Sequence, residues 1–593
     1  MGLTYVLIDF SGWTSAHGVP HIGSAQHYVL RIFWLIVFVF CTGMFGVNMS
    51  ILVQRYIAYN VTVQTELRFE QRNFPVVTMC NLNPFPKDRV LAFAPNIIEL
   101  SLAYKAASIA QDEFTLEDYW YDLLQERYPN QTEQQALIDK YNFQDFMSHD
   151  IVLRAEAQEQ LIYAYHSLIP EIQEEIVYDI YQKDDYTFSF ISSAAYNRKT
   201  IDPSKNYNFT DFAYVDHPVF GRCFAFNPQG KYKLARSGSH YGLQILAVTN
   251  QQQYLPMTES AGIRVAIHGT GEDSYVSAFG YNAAVGFSTL FAVRYFETIR
   301  LPAPHGNCTK DISEIGGEEK YHYGEVYLLE GCYRSCYQDA VIANCTCSDP
   351  RFNRPKEGPL YCHTNDQRDC VNRLSSGDGK ATFDLITKCR CKQPCKESTY
   401  QVSMTTAVWP ADSHIPTICM EKKATDIKTD KVYPWGNDTT GQECIKFHQY
   451  NTAKIEVHFE RMNFHQLKET EAYKLINLIS DMGGQLGLWM GISVITAIEF
   501  LTLILLLLFH CCNRSEQAQM FEVENDTGKD EENTFGQNRN VVEEEEEPDT
   551  DEEEDEEQSN ENVGDKNENS ENVDSPRSSR KPSLPGSIKS NME

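Results

Sequence analysis

Two apolar runs fix what this chain can become. Ile32–Val53 (IFWLIVFVFCTGMFGVNMSILV) carries no charge, and at about 1.5 Å per helical residue it matches the roughly 30 Å thickness of a bilayer interior. Leu486–Phe509 (LGLWMGISVITAIEFLTLILLLLF) is as long and holds one charge, Glu499. Both read as membrane helices. The first is too long for a secretory signal and no small-residue cleavage site follows it, so it is expected to stay attached.

The segment between them, Gln54–Lys474, decides the orientation, because the flanking Lys and Arg counts are nearly balanced. It holds all of the 17 cysteines except Cys41, Cys511 and Cys512, and sequons at Asn60, Asn130, Asn208, Asn307, Asn344 and Asn437. Such a segment has passed through the oxidising secretory route, which puts it outside the cell and both termini in the cytosol. The C-x-C pairs Cys345/Cys347 and Cys389/Cys391 could suggest zinc. They lack a second C-x2-C knuckle and have many cysteine neighbours, so disulfides are favoured and no metal or other cofactor is implied.

Composition supports several packed units, with 42% apolar and 12% aromatic residues over 593. The formal charge of −31 is concentrated after Asn513, where the tail sums to about −18, and EEEEEPDTDEEEDEE (Glu543–Glu557) predicts disorder. There is no basic stripe for nucleic acid. RKPS, ending at Ser583, is a short kinase-type match, and Cys511 and Cys512 are candidate palmitoylation sites beside the bilayer.

Texture changes along the intervening segment. Leu91–Ile191 has helical spacing (EFTLEDYWYDLLQERY, EAQEQLIYAYHSLIPEIQEEIVYDIY) broken at Pro129 and Pro170. Phe209–Val293 has strand-like runs such as GLQILAVT and GIRVAIHG between Gly and Asn punctuation, which predicts an antiparallel sheet. Cys308–Cys395 holds ten cysteines, the density of a stapled structure with little core. Ala453–Arg461 (AKIEVHFER) predicts a returning strand that leads into the second apolar run.

FPVVTMCN (Phe74–Asn81), His17-Gly18 before the first run and SDMGGQLGLWMGIS (Ser480–Ser493) together resemble the degenerin/epithelial sodium channel superfamily. The resemblance implies an α+β membrane protein: a homotrimer, each subunit a palm sheet, β-ball, finger, thumb and knuckle on two membrane helices. The boundaries that follow are a cytosolic 1–31 with a re-entrant His-Gly motif, a first helix 32–53, and an extracellular 54–474 with a finger near 91–200 and a thumb near 308–395. A pre-pore segment and second helix occupy 475–509, and an acidic tail 510–593. The resemblance also implies the disulfides Cys80/Cys223, Cys308/Cys395, Cys332/Cys391, Cys336/Cys389, Cys345/Cys370 and Cys347/Cys362, leaving Cys419 and Cys444 for each other.

Gly483, Gly484, Gly487 and Gly491 crowd the start of the second run, at about 1 kcal/mol each relative to Ala. On spacing alone they suit either a helix-packing face or a break. The resemblance matches Gly491-Ile492-Ser493 to a G-x-S filter whose carbonyls face permeating sodium ions in preference to potassium. Asp481 either caps its helix or lines the pore mouth with Gly484 and Gly487, and His17 and Gly18 line the inner pore. Glu499 in apolar surroundings costs at least about 2.5 kcal/mol unless it meets water or a partner, which marks it as functional. Thr502 stands where related channels carry a second acid, and Ser480 resembles a site where bulk holds such channels open.

The acid-sensing branch carries a His pair where this chain has Tyr59 and Asn60, and a Trp where it has His305. The chain is therefore most similar to the FMRFamide-gated members, with an amiloride-sensitive pore opened by an extracellular neuropeptide. Asp184, Asp185, Tyr186 and Phe188 mix carboxylates and rings as such a ligand needs, though an ordinary solvated turn followed by a strand is the simpler account of them. Proton gating or constitutive activity is the alternative within the superfamily. An ATP-gated channel would lack these motifs, an adhesion glycoprotein gives no reason for Glu499, and no catalytic constellation suggests an enzyme.

Overall fold

The computed structural model describes residues 9–520 except 110–117, 145–148, 179–189, 202–210, 316, 318–319, 376–382, 417–418 and 420–440. The first apolar run is one helix, Tyr28–Ile57, four residues longer at each end than its uncharged stretch. Its side chains, among them Phe33, Ile36, Val39 and Phe40, are mostly exposed, as a lipid-facing helix requires.

Numbered in chain order, the large sheet contains β1 (Val61–Phe69), β3 (Ile191–Tyr196), β4 (Lys199–Ile201), β7 (Leu243–Val248), β10 (Phe287–Ile299), β13 (Lys396–Val408), β14 (Thr452–Phe459) and β15 (Asn463–Glu471). Their order is β1-β15-β10-β14-β7-β3-β4, with β13 also on β10. A five-stranded sheet is built from β2 (Val76–Asn81), β5 (Phe212–His217), β6 (Gly221–Phe226), β8 (Gly262–His268) and β9 (Tyr281–Ala284), and β11 (Cys308–Thr309) pairs with β12 (Gln393–Pro394).

Strands predicted as one antiparallel sheet therefore divide between two, and β10 adds parallel pairings with β14 and β15. Phe74, Phe226, Phe291, Ile455 and Val457 fill a core between the sheets. β2 is buried along its whole length, which explains why VVTMCN is a near-continuous apolar run rather than an alternating one.

The segment expected as a finger over 91–200 ends sooner. Its helices run from Lys87 to Glu175 around a core of their own that includes Phe85, Leu100, Phe143 and Leu153. Residues 191–201 are instead a hairpin of the large sheet, turned at Asn197 and Arg198, both at positive φ (50° and 62°), the two-residue turn that matches strand twist.

The cysteine-rich region has more core than its staples suggested. Val341, Val371 and Leu374 pack with Tyr163 of the helical segment around Cys345, Cys347 and Cys362. The disulfides of the described residues join Cys80–Cys223, Cys308–Cys395, Cys332–Cys391, Cys336–Cys389, Cys345–Cys370, Cys347–Cys362 and Cys419–Cys444. Asn60, Asn130, Asn307 and Asn344 are exposed, whereas Asn208, Asn437 and the acidic tail lie outside the described residues.

The strand predicted to lead into the second apolar run, β14, does not reach it. The chain turns after Phe459 and enters through β15, which pairs with β1 from Val61↔Glu471 to Phe69↔Asn463. Polar residues such as His465, Lys468 and Glu469 on β15 disguise it as a linker.

Candidate functional site

The second apolar segment is broken where its sequence is least helical. An α-helix, Leu475–Gln485, loosens into a π-helical turn over Leu486–Met490, and a new helix starts at Val494. The two halves, Leu475–Met490 and Val494–Phe509, are bent by 74° and together are long and apolar enough to cross a bilayer.

Gly491 makes the break. Its φ of 61° lies in the left-handed region, and a Cβ there would fall onto the His17 ring. Gly483, Gly484 and Gly487 are different: a Cβ at any of them would meet open space, so neither a break nor close packing within this chain explains them. Ser493 restarts the helix as its cap, its Oγ accepting the Thr496 N–H at 3.3 Å.

A strap from the N-terminal end closes on this break. His17 N–H donates to the Met490 carbonyl, released from helical pairing, at 3.0 Å. Gly18, at φ 90°, lies against Phe38, and the His21 ring stacks on Trp34 at 4.4 Å, which pins the strap to the first helix. Phe10 is buried and its ring lies 5.3 Å from Phe500.

The strap also supplies the partners that Glu499 needs in apolar surroundings. Glu499 Oε2 accepts the Ser15 N–H at 2.7 Å, the Thr14 hydroxyl at 3.0 Å and the Ser15 hydroxyl at 3.2 Å. The Ser15 hydroxyl also meets Thr496 Oγ1 at 2.5 Å. Three donors thus converge on one carboxylate oxygen among apolar neighbours. Thr502 takes no part, since its hydroxyl bonds the Ile498 carbonyl of its own helix.

Asp481 is not a cap. It lies inside the helix whose N-cap is Lys474, and its Oδ2 accepts the Tyr473 hydroxyl at 2.6 Å. Tyr473 in turn faces the Arg55 guanidinium at 5.8 Å, so the acid is tied to the C-terminal end of the first helix. Ser480, Gly484 and Gly487 are exposed beside it.

Tyr59 and His305, each noted as a replacement in sequence, meet in space. Their rings form an edge-to-face pair with centroids 5.1 Å apart, joining the top of the first helix to the loop before Cys308. Asp184, Asp185, Tyr186 and Phe188 lie outside the described residues. The neighbouring Phe190 is a core residue stacked on Phe224.

Thr14, Ser15 and Thr496 were the site residues that sequence reasoning missed. The available signals were hydroxyls directly before His17-Gly18 and a hydroxyl three positions after Ser493, where a capping residue belongs.

Comparison with known proteins identifies the family. Residues 10–503 match the family described as amiloride-sensitive sodium channel. The degenerin-like protein asic-2 of Caenorhabditis elegans is 28% identical over 530 residues, covering 86% of this chain and 88% of that protein. Degenerin unc-8 of Caenorhabditis elegans is 34% identical over 352 residues, 59% of this chain and 42% of its own length. Degenerin mec-4 of Caenorhabditis briggsae is 37% identical over 320 residues, 53% and 38% respectively, so the chain spans less than half of these two relatives. With a match running from the strap through the broken helix, the chain belongs to the amiloride-sensitive sodium channel family and is a plasma-membrane ion channel protein, not an enzyme.

Proposed function

We propose that the protein forms a homotrimeric, sodium-selective channel opened by an extracellular neuropeptide of the FMRFamide type. Both termini are cytosolic, and Leu475–Phe509 is the second, broken span. The observation that carries the conducting role is the break at Gly491, with Glu499 held by Thr14 and Ser15 of the strap. Interrupted backbone and an acid at membrane depth are tolerated where they line water. In this reading Gly491-Ile492-Ser493 select the ion, and Asp481, Gly484, Gly487, His17, Gly18 and Glu499 line its path. Ser480 is a gating position. Peptide gating draws its support from Tyr59 and Asn60, which stand where the acid-sensing branch carries a His pair.

One contact favours the alternative of proton gating. His305 places an ionisable ring against Tyr59, where the cysteine-rich region meets the first helix. Two-electrode recording from cells expressing the chain alone separates the readings. FMRFamide-type peptide at pH 7.4 is expected to evoke an amiloride-sensitive inward current that reverses near the sodium potential. Current on acid steps alone replaces peptide with proton gating. A surface-expressed chain silent to both, and carrying no standing amiloride-sensitive current, removes the homomeric channel.

A further inference from the structure

A cavity of about 600 Å³ opens where β8, β13 and the start of the Leu329–Cys345 helix converge, in the range of small-ligand sites. Four of its lining residues are acids, and their partners differ. Glu330 binds the Arg334 guanidinium at 2.7 Å and Glu397 binds Arg300 at 2.7 Å. Glu272 and Asp273 have only backbone donors, Gly269 N–H and Gly324 N–H, each at 2.7 Å. Among the described residues no lysine or arginine pairs with either.

These two carboxylates are half-buried. Burial holds both above the ordinary carboxylate range, and the nearby Glu397 charge pushes Glu272 in the same direction. Where these carboxylates are ionised, no lysine or arginine among the described residues compensates them, and an entering cation would both neutralise and favour their charge. Around it stand aromatic rings, including Tyr281, Tyr333, Tyr400 and Phe279, the last 60% exposed. Carboxylates recognise a guanidinium or ammonium, and the rings accept both its charge and an attached aromatic group.

We propose that this cavity binds an organic cation joined to an aromatic ring, which is the Arg–aromatic end of the activating peptide; only the ligand's source rests on the peptide-gated reading above. Its wall leads to the membrane. Glu397 lies opposite Thr298 on β10, and Thr298 lies opposite Leu467 on β15, the strand that enters the second helix.

The test uses the full-length channel at the cell surface with Ala278→Cys, a lining position, and the chain without the added cysteine as background. A cationic or an anionic methanethiosulfonate is applied, and the remaining thiol is counted with a biotin maleimide. The cationic reagent is expected to react about tenfold faster, as a negative cavity concentrates cations. The preference should vanish with Glu272→Gln and Asp273→Asn, and Arg-Phe-amide should slow the reaction. Equal rates, or no protection by Arg-Phe-amide, overturn the site.

Current is read separately. Protection without peptide-evoked current keeps the site and overturns peptide gating; peptide-evoked current without protection does the reverse. Tyramine protecting at lower concentration than the dipeptide amide identifies a small aromatic amine as the ligand and removes the peptide as its source. In the double variant the half-maximal peptide concentration should rise about tenfold, as for loss of a charged partner. If that variant does not reach the surface, Glu272→Gln alone is used, and an unchanged reagent preference there counts against the site.

Discussion

At the scale of single residues, one glycine out of four is irreplaceable for a stated reason. Gly491 combines a positive φ with the His17 ring where a side chain would begin, while Gly487 has neither constraint. Gly491→Ala is expected to reduce current by about tenfold or more at unchanged surface density, and Gly487→Ala to change it by less than about twofold. Recording normalised to surface labelling decides it, and equal effects would mean that the break does not depend on this backbone conformation. Composition could show that the four glycines were crowded together but could not tell them apart, since the difference lies in a ring that is far away in sequence. The same limit hid the partners of Glu499. Its cost in an apolar run was legible from the sequence alone, but Thr14 and Ser15 approach it only through the fold. Tyr59 and His305 likewise stood out separately, and nothing in the sequence says that they touch.

Among the elements, long runs of one texture were read well and their edges poorly. The first apolar helix and the helical segment after Pro86 follow their periodicity, and the two-residue turn at Asn197 was overlooked because Arg198 is not a usual turn residue. β15 was missed for a related reason: a strand half exposed to water and rich in charge looks like a connection. The helical segment owns a core, so it can be tested alone. Phe143 is fully buried there, and Phe143→Ala should cost about 3 to 5 kcal/mol. The readout is a lowered melting temperature in detergent with reduced surface expression, and a change of less than about 1 kcal/mol would mean that this core collapses around the gap.

Across the whole molecule, buried histidines make stability depend on acid. His448 is fully buried and His268 half-buried, and burial, the larger cause for both, pushes each down to about 4 from an ordinary value near 6.5. Their neutral forms are kept in the folded state, while the unfolded chain takes up protons first. Stability is therefore full above about pH 6.5 and falls as pH drops toward 4, by up to about 1.4 kcal/mol per pH unit for each such histidine. Melting curves between pH 7.4 and 5 should show the fall, and His448→Gln should make it shallower by one histidine's share; a parallel fall in the variant would assign the effect elsewhere. The first membrane-length helix and the disulfide-rich middle were legible at this scale, because bilayer thickness and redox compartment leave strong marks on composition.

One strand carries a mechanical consequence. One edge of β10 is served first by β14 and then, after a turn, by β15, so among the described residues the β1–β15 ribbon is paired to the sheet body through Phe296↔His465 to Ile299↔Lys468, with Phe464 packed on Tyr295 beside them. Beyond that clamp the ribbon runs on only through Glu469 to Val61↔Glu471, about 10 Å for three residues of strand. It is a short lever on a firm grip: a tilt of about 10° at the grip would carry the far end, where the helices Tyr28–Ile57 and Leu475–Gln485 attach, by only roughly 2 Å, so a larger displacement there needs the grip itself to shift.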